Sequence, residues 1–162
     1  MKKNLASLRE LILAVFLVAA LGMLQNTNFL NIAGVKPNLS LVLLIALSFF
    51  IRNFFVYLIL VLVAGIFLRF EAAFEPANLV FTLLVVAVYL LERKLPGRQF
   101  LNSLLLTALG TFIFYAVIDF SFFASYLFTI FEEMLYNIIL GVLLFFISKR
   151  FFFHEAGFGT KF

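Results

Sequence analysis

The stretch that most limits what this chain can fold into runs from Gly34 to Arg69, GVKPNLSLVLLIALSFFIRNFFVYLILVLVAGIFLR. Between Leu39 and Leu68 only Arg52 and Asn53 carry a group more polar than a hydroxyl. As a single helix these residues would measure roughly 45 Å, against a hydrocarbon core of about 30 Å. Arg52 would then sit near mid-membrane, at a cost of about 2.5–3.5 kcal/mol even on the lenient insertion scale. A turn at Arg52-Asn53 avoids that cost. Arg52 reaches the headgroups, and Asn53 tolerates the left-handed conformation that a tight turn needs. The segment is therefore expected to be a helical hairpin with two short arms, both in lipid.

Composition extends this reading to the whole chain. The sequence is 65% hydrophobic and 12% charged, whereas soluble domains average about 45–50% apolar and about 25% charged. An all-α integral membrane protein follows, a single domain over residues 1–162. Six transmembrane helices are expected at about 9–25, 37–51, 54–69, 76–92, 99–119 and 130–150. Pro37 and Pro76 suit first helical turns, where a missing N–H is no loss. Pro96-Gly97 breaks the chain in the loop ERKLPGRQ. Thr129 to Glu132 has the spacing of a capping box for the sixth helix. The aromatic run from Asp119 to Phe131 fits a lipid–water boundary. The first helix, behind Lys2, Lys3 and Arg9, is expected to be retained rather than cleaved as a signal peptide.

Charge gives the orientation. Six spans place Lys2, Lys3, Arg9, Arg52, Arg93, Lys94, Arg98, Lys149, Arg150 and Lys161 on one side, and only Lys36 and Arg69 on the other. The positive-inside rule makes the basic side cytoplasmic, with both termini there. The +4 net charge thus reflects topology, and no nucleic-acid partner is implied. Acidic groups collect on the outer side, at Glu71, Glu75, Asp119, Glu132 and Glu133.

With the hairpin placed, a resemblance can be stated. The run Gly34, Val35, Lys36, Pro37 and Leu39, the turn at Arg52 and the closing Gly65 resemble the MreD family of bacterial rod-shape-determining membrane proteins. The Leu24-Gln25 exit from helix one and the Tyr89 to Lys94 end of helix four are similar too. Asn38, Asn53 and Arg69 depart from the family's Asp, Gly and Asp. Tyr57 and Val61 replace two of its spaced glycines. The resemblance implies a non-catalytic scaffold in cell elongation and side-wall peptidoglycan synthesis. Its partners would be an MreC-like bitopic protein, MreB, RodA and the elongation transpeptidase. It also implies a fold similar to the S components of energy-coupling-factor transporters.

The residues themselves select no reaction. His154 is the lone histidine, cysteine is absent, and no zinc spacing, nucleophile elbow or phosphate loop occurs. No catalytic, metal or cofactor residue is expected. Asp119, Glu132 and Glu133 read as loop and helix-start carboxylates, the last two favoured by a helix dipole. No ionisable group falls in the middle of a span, which argues against proton coupling. Two stripes of small and polar residues stand out: Ser103, Thr107, Gly110 and Thr111 on helix five, and Asn137, Gly141 and Ser148 on helix six. Such residues let helices approach and bond in lipid. They serve either the protein's own packing or, in part, the seating of a foreign helix. The basic loop Arg93-Lys94-Arg98 would meet anionic lipid or a cytoskeletal partner. The alternative reading is an S-component-like subunit binding a vitamin-type solute in a neutral pocket. A small-molecule ligand is otherwise not expected.

Overall fold

The computed structural model describes residues 8–32, 34–68 and 76–152. These form α1 (Leu8–Gln25), α2 (Leu39–Ser48), α3 (Phe54–Phe67), α4 (Pro76–Glu92), α5 (Gln99–Ile118), α6 (Phe120–Ser125) and α7 (Leu127–Phe152). No strand occurs among them. Lys2, Lys3, Arg69, Glu71, Glu75, His154 and Lys161 lie outside the described residues, so their expected placements have no structural counterpart.

α5 and α7 are each long and apolar enough to cross a membrane. The other helices are shorter, and apart from the six-residue α6 the shortest is α2. Its ten residues, roughly 15 Å, are all buried, because α1, α3, α4, α5 and α7 pack around it. This corrects the expectation that both arms of the hairpin face lipid. An apolar helix satisfies hydrocarbon and a protein interior equally well, and here α2 takes the interior. α3 is the outward arm. It buries Tyr57, Leu60, Val61 and Ala64 and exposes Phe55, Ile59, Leu62 and Ile66. The same four-residue spacing leaves Leu101, Leu105, Leu109 and Ile113 exposed on α5, and Leu135, Ile139 and Leu143 on α7. Ser40, Ser48, Ser103, Thr107, Thr111, Asn137 and Ser148 are buried instead. Apolar groups outside and small polar groups inside invert the arrangement of a soluble bundle.

The hairpin turn stands where the sequence puts it but is built differently. Asn53 is not left-handed. At φ −82° it caps α3, its side chain accepting from the N–H groups of Phe55 and Val56, and so satisfies two donors that the helix start leaves open. Arg52 is exposed, and its carbonyl accepts from the Tyr89 hydroxyl at 2.7 Å and the Arg93 guanidinium at 2.6 Å. The turn is thereby tied to the end of α4. Below it the Tyr57 and Tyr89 rings stack at 4.4 Å, and the Tyr57 hydroxyl is shared between the carbonyls of Leu44 and Val85 at 3.2 Å each. Tyr57 thus fills space between α2, α3 and α4, and Val61, one turn on, is fully buried as well.

Two further starts differ from expectation. α2 begins at Leu39 behind an Asn38 cap, leaving Pro37 outside its first turn. α7 begins at Leu127, not at a Thr129 cap, so the Thr129–Glu132 capping box does not form. The preceding turn holds α6 instead, capped by Asp119, whose carboxylate accepts the Phe122 N–H at 3.0 Å and the Ser121 hydroxyl at 2.7 Å. These bonds, the Phe122 N–H first, hold the Asp119 carboxyl below the usual carboxylate range.

One close approach of helices falls outside both predicted stripes. A Cβ placed on Gly22 of α1 would lie 2.8 Å from the Phe67 Cβ of α3, closer than atoms tolerate. Gly22→Ala gains up to about 1 kcal/mol of helix propensity, but the crowding costs about 1–3 kcal/mol. A net loss of about 1 kcal/mol is expected in detergent unfolding. In a Phe67→Gly background, which removes that Cβ, the same change should stabilise relative to Phe67→Gly alone; if it destabilises there too, the close approach is not the cause.

Candidate functional site

The site grows from the chain between α1 and α2. α1 stops at Gln25, and the Thr27 hydroxyl bonds back to the Leu24 carbonyl at 2.7 Å. Gly34 then turns the chain at φ 88°, a left-handed conformation that a side chain would strain. The Asn31 side chain receives its N–H at 2.9 Å, and Ile32 pairs with Val35. Gly34, Lys36 and Pro37 therefore build the return that delivers Asn38 to the head of α2.

Asn38 is the centre of a buried polar chain. Its side-chain oxygen accepts from the Leu41 N–H at 3.1 Å and the Gln25 amide at 3.3 Å. Gln25 in turn receives the Ser40 N–H at 2.9 Å. The Asn38 N–H donates to the Asn137 side chain at 2.9 Å, and Asn137 donates to the Thr111 hydroxyl at 3.0 Å. One turn before Asn137 on α7, Glu133 accepts the Tyr115 hydroxyl at 2.5 Å. These bonds join the end of α1, the start of α2, α5 and α7 at one end of the bundle.

Beside them opens a cleft of about 360 Å³. Gln25, Lys36, Pro37 and Asn38 form one wall, Ala77, Asn78 and Phe81 of α4 another, and Phe114, Tyr115 and Glu133 the far side. Phe81 and Phe114 meet edge to face at 6.5 Å. Glu133 is only 7% exposed, which corrects its reading as a helix-start carboxylate. It is the seventh residue of α7 and points among α5 and the cleft, while Glu132 is exposed. Sequence reasoning missed it, although a signal existed: the stripe Asn137, Gly141, Ser148 extended one turn back lands on Glu133.

The stripes are used up within the chain. Ser103, Thr107, Gly110 and Thr111 on α5 and Asn137 and Gly141 on α7 are all buried. A Cβ on Gly110 would come 3.3 Å from Ile45 of α2, and one on Gly141 would touch Leu104, Val42 and Thr107 at 3.6–3.7 Å. Of the two uses the sequence left open for these stripes, the one seen among the described residues is packing of the chain's own helices. Ser103, Thr107 and Ser148 find no hydrogen-bond partner for their hydroxyls among the described residues. Their contribution is small volume, and only Thr111 and Asn137 bond across the gap. Gly65 is not a close-approach residue, since nothing lies within 4 Å of a Cβ there.

At the opposite end lie Arg9, Arg52, Arg93, Lys94, Arg98, Lys149 and Arg150. Lys94 and Arg98 are exposed, and Gly97 turns the loop at φ 101°. Arg93 is engaged. It bonds the Arg52 carbonyl and the Tyr89 hydroxyl, lies 4.3 Å from the Tyr89 ring centre, and reaches Glu92 at 3.5 Å. Of the three loop cations, Arg93 acts as a clamp on the hairpin, leaving Lys94 and Arg98 to face outward.

Among the described residues no cluster of three or more metal-ligating side chains occurs. Comparison of the chain with protein-family models, with curated proteins and with solved structures finds no match.

Proposed function

We propose that this chain is a six-span scaffold of the bacterial inner membrane, acting in cell elongation in the manner of MreD and without catalysing a reaction. The observation that carries the reading is where the family-like residues fall. Gly34, Lys36 and Pro37 form the entry to α2 and Arg52 its exit, so the resemblance frames the one helix enclosed by all the other long ones. The outward apolar side chains of α1, α3, α4, α5 and α7 support a lipid surround. The basic end, with Arg52, Lys94, Arg98, Lys149 and Arg150, faces the cytoplasm on this reading, and the cleft faces outward. Lys94 and Arg98 meet anionic lipid, at about 1 kcal/mol each, or the MreB side of the machinery. The partner is a bitopic MreC-like protein that docks on an outer helix face, since the inner stripes are occupied. RodA and the transpeptidase join through that complex.

A second reading has one observation in its favour. The cleft gives an S-component-like fold a place for a vitamin-type solute. Affinity purification from a native bacterial membrane separates the two. The scaffold reading expects stoichiometric recovery of a single-span protein with a periplasmic domain. Recovery of an ATPase module without such a protein overturns it in favour of solute uptake.

A further inference from the structure

We infer that the cleft binds a small zwitterion, an ammonium group joined to an anionic group, with Glu133 meeting the ammonium and Lys36 the anion. This goes beyond the scaffold reading and holds with or without it, because it rests on the cleft alone. For the solute reading it supplies a ligand class.

Among the described residues, Glu133 is the carboxylate that lines the cleft and Lys36 the cation. A carboxylate as deep as Glu133 has lost most of its water, and hydrogen bonds from Tyr115 and Asn137 do not replace a full hydration shell. No described Lys or Arg pairs with it; Lys36 lines the same cavity but makes no ion pair with it. A purely cationic ligand would be repelled by Lys36, and a purely anionic one by Glu133. A ligand carrying both charges satisfies both walls. Phe81 and Phe114 also line the cleft, and aromatic faces attract an ammonium stripped of water. The Tyr115 hydroxyl fixes the carboxylate's position, so the acceptor is set before the ligand arrives. A volume of about 360 Å³ is within the roughly 300–1,000 Å³ of small-molecule sites.

Such chemistry has two sources, a phosphatidylethanolamine headgroup or a soluble aminoalkyl phosphate. The test uses the full chain, purified and stripped of lipid. Native mass spectrometry compares phosphatidylethanolamine with phosphatidylglycerol. Titration calorimetry compares O-phosphoethanolamine with glycerol 3-phosphate, which lacks the amine. At least a tenfold preference for the amine-bearing probe is expected in one of the two pairs, and the pair that shows it identifies the source. Glu133→Gln should abolish that preference, and Lys36→Gln should weaken binding of the same probe several-fold. Lys36 is partly exposed and outside every helix, so its variant remains informative if Glu133→Gln does not fold. Absence of an amine preference in both pairs overturns the inference, as does a preference that persists in both variants. Failure here leaves the co-purification result untouched, and the converse also holds.

Discussion

Asn137→Leu is expected to lower the stability of the folded bundle by about 2–3 kcal/mol. The Asn137 side chain accepts the Asn38 N–H and donates to Thr111, so its loss cuts α7 from both α2 and α5. Two interhelical bonds in lipid contribute roughly 0.6 kcal/mol each. The larger share comes from the Asn38 N–H, which is left buried without a partner at about 1–3 kcal/mol. Unfolding in mixed micelles, followed by helix signal against denaturing detergent, measures the loss. Thr111→Val is the useful companion: it removes the bond from Asn137 and the hydroxyl's own bond to the Thr107 carbonyl but orphans no backbone group, so its effect should stay under about 1 kcal/mol. Equal losses in the two variants would show that the Asn38 N–H is not the costly group.

Leu44→Ala comes second, at roughly 2 kcal/mol. In water, truncating a buried leucine loses both transfer energy and packing. With a lipid-embedded reference the transfer part largely cancels, because hydrocarbon tails are as apolar as leucine. What remains is the cavity, at about 24 cal/mol per Å³, and the core around α2 has no lipid to fill it. Leu62→Ala removes the same atoms from the outward face of α3, where Leu62 is 56% exposed, and lipid closes over the gap. A loss under about 0.5 kcal/mol is expected there. Comparable losses at Leu44 and Leu62 would mean that α2 is not enclosed as described.

The contrast between those two leucines also marks the limit of what the sequence could say. The hairpin, the helix ends near Gln25, Glu92 and Ile118, and the Pro96-Gly97 break were all legible, because polar residues and breakers punctuate apolar runs. Which arm of the hairpin faces lipid was not. LSLVLLIALS and FFVYLILVLVAGIF are equally greasy, and apolar periodicity vanishes when both environments are apolar. Polar residues carry the information instead, and α5 and α7 were readable for that reason: Ser103, Thr107, Thr111 and Asn137 recur at helical spacing. Glu133 was misplaced because charge near a helix start ordinarily means water. Its burial depends on Tyr115, eighteen residues away on another helix. Asn53 was given the right position and the wrong job, since a cap and a left-handed turn draw on the same residue type.

The bond between Asn38 and Asn137 spans ninety-nine positions of the chain. A ribosome delivers α2 well before α7, so the central helix is made before the segment that closes over it exists. Until α7 emerges, the Asn38 N–H lacks the acceptor it has in the finished fold. Arrival of α7 is therefore the step that completes the enclosure of α2.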